Sequence, residues 1–338
     1  MIVVFFVAVL VCSLLLTGSL RRYAIARSLI DIPNERSSHL LPTPRGGGVA
    51  IVVSYLAALP LLALEGFAAW PSVISLVGAG TLIAMVGFLD DHGHIAARWR
   101  LLAHFSGAGW ALCWLQVVPS VDVFGVVLDL GWVGYLLAAV YLVWLLNLYN
   151  FMDGIDGIAS IEAVSVCIGA CLVYWLSGEN ELVSTPLLLI AAVSGFLYWN
   201  FPPARIFMGD AGSGFLGLIL GILSLQAALV SPHLIWAWLI LLGVFIVDAT
   251  FTLLRRFIRG DKIYEAHRSH AYQYASRHFK GHLPVTLAIA TINTLWLLPI
   301  AICVGVFGLD GILGLVIAYF PLVFLAVKFN AGATEKSS

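Results

Sequence analysis

Charge is what this chain has least of. Only 10% of its 338 residues are Asp, Glu, Lys or Arg, the formal net charge is -1, and 61% are hydrophobic. With a mean hydropathy of +1.01, this excludes a soluble globular domain, a disordered chain and a basic protein that merely rests on a membrane or a nucleic acid. There is no low-complexity tract and no visible internal repeat, and the longest polar segments are residues 21–45 and 255–283. The five cysteines (Cys12, Cys113, Cys167, Cys171, Cys303) lie in apolar runs with no paired metal-ligand spacing, so they read as small buried hydrophobes. The first apolar run has no basic segment before it and meets Arg21-Arg22 in place of a small-residue cleavage site. It is expected to remain as a helix.

What is present is a series of apolar runs long enough to cross a bilayer, each about 20 residues. Eleven spans are expected, at roughly 2–20, 46–65, 71–89, 99–118, 131–149, 157–177, 185–200, 212–230, 234–254, 284–305 and 311–328. The expected fold is therefore an all-α polytopic bundle forming a single membrane domain over 1–338, with its polar loops at about 21–45, 90–98, 147–157, 201–212 and 255–283. With the N-terminus outside, all 17 Lys and Arg fall on the inner side, as retention of basic residues in the cytoplasm requires. The outer loops carry acids such as Asp122, Asp129, Glu179, Glu181 and Asp310. The C-terminus is then cytoplasmic.

On that topology the polar clusters share the cytoplasmic side. The densest is Asn147-Leu-Tyr-Asn150-Phe-Met-Asp153-Gly154-Ile-Asp156-Gly157. Carboxylates beside lipid-soluble segments are costly unless paired, hydrated or metal-bound, so this stretch is a functional candidate. A spacing of three turns each residue about 60° back around a helix, so Asn147 and Asp156 would face opposite sides of an ideal one. Gly154 and Gly157 imply that the helix ends or bends near Asp153, letting amides and carboxylates serve different groups. Asp90-Asp91 places like charges side by side, which a hard divalent cation such as Mg2+ would neutralise; the plainer reading is a helix cap. Gly209-Asp210-Ala211-Gly212-Ser213-Gly214 opens the eighth span and offers backbone N–H groups to an anion. His267-Arg268-Ser269-His270 lies in the most basic loop, with Arg255, Arg256, Arg259, Lys262, Arg277 and Lys280, and offers phosphate donors; the plainer reading is a solvated loop. Arg98 and Arg100 open the fourth span near Asp90-Asp91, either to hold a phosphate or to anchor the helix. Asn34 to His39 and Arg45-Gly46-Gly47-Gly48 form a polar, turn-rich run that suits an ordinary loop as well as a ligand site. The deeper acids Asp248 and Glu162 are expected to serve structure, Asp248 by pairing with Arg255 or a polar neighbour.

These motifs resemble, in order and spacing, the signatures of the polyprenyl-phosphate N-acetylhexosamine-1-phosphate transferases, glycosyltransferase family 4, over about residues 34–280. His-Arg-Ser-His-Ala-Tyr-Gln from residue 267 is similar to bacterial members that start O-antigen and related lipopolysaccharide chains. The phospho-MurNAc-pentapeptide branch usually has a run of His there and a Lys soon after its Asp pair, where this chain reads His92-Gly93-His94. The role of that Lys does not carry over, and Arg98 is the candidate substitute. The resemblance implies a bacterial inner-membrane enzyme that transfers a sugar 1-phosphate, of an N-acetylated hexosamine or deoxyhexosamine, from a UDP-sugar to undecaprenyl phosphate with Mg2+ or Mn2+, releasing UMP. It implies metal binding by Asp210 with Asp91, orientation or deprotonation of the acceptor by Asp90, and metal or nucleotide binding by Asn147, Asn150, Asp153 and Asp156. His267, Arg268 and His270 would hold the diphosphate and sugar. Direct attack by the lipid phosphate and a covalent intermediate stay open, and family members often form homodimers.

Two other classes place polar groups among helices. A secondary transporter keeps its site near the midplane, often between repeated halves, whereas these acids collect at one face. A CDP-alcohol phosphotransferase would need further Asp residues along one segment, and residues 157–177 supply none.

Overall fold

The computed structural model describes residues 1–33, 41–93, 95–116, 118–261 and 267–334; Asn34 to His39, His94, Lys262 and Lys336 lie outside them. The chain is an all-α membrane bundle. Its helices are α1 (Ile2–Ala26), α2 (Val49–Leu64), α3 (Trp70–His92), α4 (Ala97–Leu115), α5 (Gly131–Met152), α6 (Ile158–Ser177), α7 (Ser184–Asn200), α8 (Asp210–Val230), α9 (His233–Leu241), α10 (Gly243–Arg259), α11 (Ala271–His278), α12 (Leu283–Ile292), α13 (Leu298–Gly305) and α14 (Gly311–Lys328). Two short antiparallel pairs, β1 (Ile30–Asp31) with β2 (Thr43–Pro44) and β3 (Val121–Val123) with β4 (Val126–Leu128), lie in the connections.

Among the described residues, eight helical segments are long and apolar enough to span a bilayer, and the α9–α10 pair makes a ninth if it counts as one span. The two remaining expected spans are helical but weaker: α2 has 16 residues, and α4 opens with Arg98 and Arg100. The single helix expected at 234–254 is instead two, α9 and α10, bent by 73°. At the break Leu242 leaves helical geometry ahead of Gly243. The cysteine expectation holds for Cys167, which is fully buried, but Cys12, Cys113 and Cys303 are exposed on the bundle's outer face. That face meets lipid in a membrane, where a thiol is soluble enough to need no burial.

Helix α8 is the axis of the bundle: its spanning window is 89% buried, against 22% for α1 and 28% for α14. Helices α2, α3, α5 and α9 pack around it. Lipid tails supply no hydrophobic drive between helices, so close backbone approach and small residues have to make the packing. At Gly48 and Gly212 the two backbones nearly touch, since a Cβ on Gly48 would lie 2.5 Å from Gly212 Cα. The glycines after Arg45 thus serve the docking of two helix starts. Gly48→Val is expected to cost about 1–3 kcal/mol through overpacking and to lower the detergent melting midpoint. Gly109→Ala, with nothing within 4 Å of its new methyl, is expected to leave the midpoint unchanged or raise it. Equal midpoints for both variants would refute the close-approach argument.

Candidate active site

Three distant segments meet at one end of α8. Asp91, in the last turn of α3, accepts hydrogen bonds from the backbone N–H of Asp210 (3.1 Å) and Ala211 (3.2 Å). The anion expected at this helix start is therefore the protein's own carboxylate, favoured by the unpaired N–H groups there. Gly209 makes the approach feasible: its φ is +80° and a Cβ would fall 2.7 Å from Asp91 Oδ2. Arg45 Nη2 completes the cluster, 2.8 Å from both Asp91 Oδ1 and Asp210 Oδ1. Backbone pairing sets its position. Phe207 N–H donates to Pro44, Gly47 N–H to Phe207 and Gly48 N–H to Met208, so residues 44–48 run alongside 207–208 and carry Arg45 to the acids.

The stretch from Asn147 to Gly157 divides as its spacing implies. Helix α5 ends at Met152, Asp153 is its cap, and Gly157 turns the chain into α6 with φ +74°. Asn147 Nδ2 donates to the Val143 carbonyl and lies 3.3 Å from His104 Nδ1. Asn150 Oδ1 accepts from the Ser213 hydroxyl at 2.7 Å, tying α5 to α8. Asp156 is held on both oxygens, by Ala204 N–H at 3.0 Å and beside His282 Nδ1 at 3.1 Å. Asn200 Oδ1 accepts from Gly157 N–H. Among the described residues nothing hydrogen-bonds or ion-pairs with the Asp153 carboxylate. Burial pushes its pKa up to about 7, Asp210, Asp91 and Asp156 act in the same sense, and Arg45 opposes them.

Two cavities open on this cluster. One, of about 230 Å³, is lined by Asp31, Arg45, Asn150, Asp153, Asp156, Asn200, Asp210, Gln273 and His282 among others. The second, of about 240 Å³, lies among α3, α4, α5 and α8 and includes Ile83, Asp90, Arg100, Leu101, His104, Asn147, Asn150, Phe151 and Asp210. Asn150 and Asp210 belong to both. Asp90 accepts from Arg100 Nη1 at 2.6 Å and from Ile95 N–H at 2.8 Å. Arg98 lines neither cavity and lies over the Trp99 ring. Residues two apart on a helix point in different directions, so Arg100, not Arg98, is the cation that reaches the acids.

His267, Arg268 and His270 also lie outside both cavity linings. His270 is buried, 3.4 Å from Asp248 Oδ1, and a row of stacked rings runs His267, His270, Tyr272. The Tyr272 hydroxyl donates to the Phe151 carbonyl, so the motif stands behind the cavity wall that Gln273 forms. Asp248 accepts from the Ala271 and Tyr272 N–H groups and from Thr252, the polar neighbours expected for it. Glu162, fully buried, accepts from Asn293.

No spacing pattern marks His104, Asn200, His282 or Asp31, each a single polar residue near the end of an apolar or loop segment, and Gln273 was visible only as the last residue of the motif that begins at His267. Arg45 was visible only as part of a glycine-rich turn. Among the described residues no group of three or more His, Cys, Asp or Glu is gathered to hold a metal. The hard-oxygen pair Asp91 and Asp210 does suit an ion that binds one or two carboxylates and completes its shell with water and phosphate. A guanidinium already bridges them.

Burial and the neighbouring His270 and Arg256, only partly opposed by Asp248 and Asp261, hold His267 at a pKa of about 3. The unfolded chain therefore binds more protons than the folded one, and this contribution to stability is lost as pH falls from about 6.5 towards the folded value. The detergent melting midpoint should drop between about pH 7 and pH 5. His267→Gln should reduce that drop; an identical drop in the variant would contradict the assignment.

The glycosyl transferase family 4 model matches residues 73–228, which include α3, α5 and the start of α8. A probable undecaprenyl-phosphate N-acetylglucosaminyl 1-phosphate transferase of Bacillus subtilis is 32% identical over 300 residues, covering 86% of this chain and 82% of the relative. A decaprenyl-phosphate N-acetylglucosaminephosphotransferase of Mycolicibacterium smegmatis is 29% identical, covering 75% and 71%. A phospho-N-acetylmuramoyl-pentapeptide-transferase of Streptococcus thermophilus is 28% identical, covering 67% and 68%. With the Asp90-Asp91, Asn147–Gly157 and Gly209–Gly214 motifs gathered at the two cavities and relatives matched over most of their length, the chain belongs to glycosyl transferase family 4, in the superfamily of polyprenyl-phosphate hexosamine-1-phosphate transferases.

Proposed function

We propose that this protein transfers a sugar 1-phosphate from a UDP-activated N-acetylated hexosamine or deoxyhexosamine to undecaprenyl phosphate, releasing UMP, at the cytoplasmic face of the bacterial inner membrane. The product starts a lipid-linked surface glycan such as O-antigen. The observation that carries this reading is the pair of cavities sharing Asn150 and Asp210. A soluble donor and a lipid-borne acceptor need separate entrances to one reacting centre.

In this reading the cavity with Asp153 and Gln273 takes the nucleotide sugar, and the one among α3, α4, α5 and α8 takes the acceptor phosphate. An acceptor oxygen attacks the β-phosphorus of the donor, the bond from that phosphorus to the bridging oxygen breaks, and UMP carries the bridging oxygen away. A phosphate monoester is largely dianionic at pH 7, its second pKa being about 6, so the attack requires no base. Asp90 is already an ion-pair partner of Arg100. We assign it to aiming Arg100 at the acceptor phosphate. Asp210 and Asp91 would hold Mg2+, which would neutralise the phosphate charge that builds up in transfer. Arg45, which lines the donor cavity beside both carboxylates, would offer its guanidinium to the donor diphosphate. Asp153, unpaired at the cavity, faces the cation or the nucleotide, and Asn150 fixes the geometry shared by both substrates. His267, Arg268 and His270 support the donor cavity from behind.

Purified protein given undecaprenyl phosphate, Mg2+ and a panel of UDP-sugars should release UMP with at least one donor and stop with EDTA; no release from any donor would count against the reading. Asp210→Asn and Asp91→Asn should lower kcat by about a hundredfold or more. Asp90→Asn and Arg100→Met should raise the KM for acceptor alike, and a much larger kcat loss in Asp90→Asn would restore the base role. Because Asp153 gains its charge through a pKa of about 7, the Mg2+ needed for half-maximal rate should fall as pH rises through that value. Asp153→Asn should flatten this dependence.

A further inference from the structure

The chain that follows α14 touches the site's supporting loop more closely than a helix end needs to. After Lys328 it folds back against α10 and α11. Gly332 N–H donates to the Ser269 carbonyl at 2.7 Å, inside the His267–His270 motif. Its own carbonyl accepts from Arg259 Nη1 at 2.7 Å. The Ala331 carbonyl accepts from Arg255 Nη1 at 2.9 Å, and the Ala333 carbonyl from the Tyr274 hydroxyl at 3.1 Å. Ala331 is fully buried, and the Phe329 ring lies 6.2 Å from that of Phe279 and 6.3 Å from that of His278.

These contacts join α10, the 267–270 loop, and the middle and C-terminal end of α11 to one short segment. The same eight-residue helix α11 presents Gln273 to the donor cavity and Tyr272 to the end of α5. On its other side α11 is held by Asp248, which caps its first N–H groups. So short a helix has little stability of its own and depends on such tertiary contacts. Asp248 fixes one end, and the segment after α14 fixes the rest. Two of the three carbonyls in that segment are met by arginines of α10, Arg255 and Arg259, which the positive-inside pattern alone would explain as topological charge. Their geometry gives them a second use.

We propose that residues 329–333 are a positioning element of the donor cavity: they clamp the 267–278 unit against α10 so that Gln273 stays in the cavity wall and Tyr272 stays against the end of α5. The inference rests on the reading that this cavity takes the nucleotide sugar. No residue of the segment lines either cavity, so its influence passes through α11.

The test uses the full-length protein in detergent, a form ending after Asn330, and the point variants Gly332→Ala and Tyr274→Phe. Gly332 sits at φ +73°, and a Cβ there would fall 2.8 Å from the Thr252 carbonyl oxygen, so even this small change displaces the segment. Hydrogen exchange should show faster exchange, by roughly tenfold or more, at amides 269–278 in the shortened form and in Gly332→Ala. Exchange in α8 should not change. The KM for the UDP-sugar should rise by roughly tenfold, with kcat and the KM for undecaprenyl phosphate within about threefold of the parent. Tyr274→Phe should show a smaller change in the same direction. Unchanged exchange and unchanged donor KM would overturn the proposal, as would a fall in kcat with donor KM constant. If the shortened form does not fold, the two point variants decide by the same readings. Should the parent release no UMP from any donor, the functional reading fails while hydrogen exchange still judges the clamp.

Discussion

The ion cluster of Arg45, Asp91 and Asp210 is the constraint on which the rest of the arrangement depends. It joins an arginine of the loop before α2, the last turn of α3 and the first residue of the most buried helix. Two carboxylates brought this close to a membrane-embedded helix start would repel one another without a cation between them. The guanidinium and two backbone N–H groups meet that need, and the glycines at 48, 209 and 212 exist because the chain segments have to approach within contact distance. The packing that builds the bundle's centre and the electrostatics that build its site are therefore the same contacts seen from two sides.

That coupling explains which parts of the molecule were legible in the sequence. Helices were readable because apolar length is a strong signal, and the end of α5 at Met152 follows from the glycines beyond it. Asp90, Asp91, Asp153, Asp156 and Asp210 stood out because acids in so apolar a chain demand a reason, and the structure gathers all five around the two cavities. The bend between α9 and α10 was not readable, since a run of apolar residues carries the same signal straight or broken. Arg100 and Arg98 could not be told apart without knowing which face α4 turns inward. His282 and Asn200 arrive from segments far along the chain, and no local pattern marks them.

The His267–His270 motif shows the limit of reading chemistry from residue type. Its histidines and arginine suggested direct phosphate contact, yet the imidazoles stack behind Tyr272 and Gln273, with His270 beside Asp248. A basic loop is thus turned into a rigid support, braced by α10 on one side and by the end of the chain on the other. Support of this kind matters for phosphoryl transfer, where the protein contributes mainly by positioning and by neutralising charge.

In the proposed reaction the reacting atom is the donor's β-phosphorus, held between the two cavities at Asp210. The most direct measurement follows that atom, using a UDP-sugar labelled at the β-phosphate, undecaprenyl phosphate and the purified protein. The label is expected to move into the organic-extractable lipid together with the sugar, in step with release of unlabelled UMP. Label left in UDP while the sugar alone reaches the lipid would contradict it.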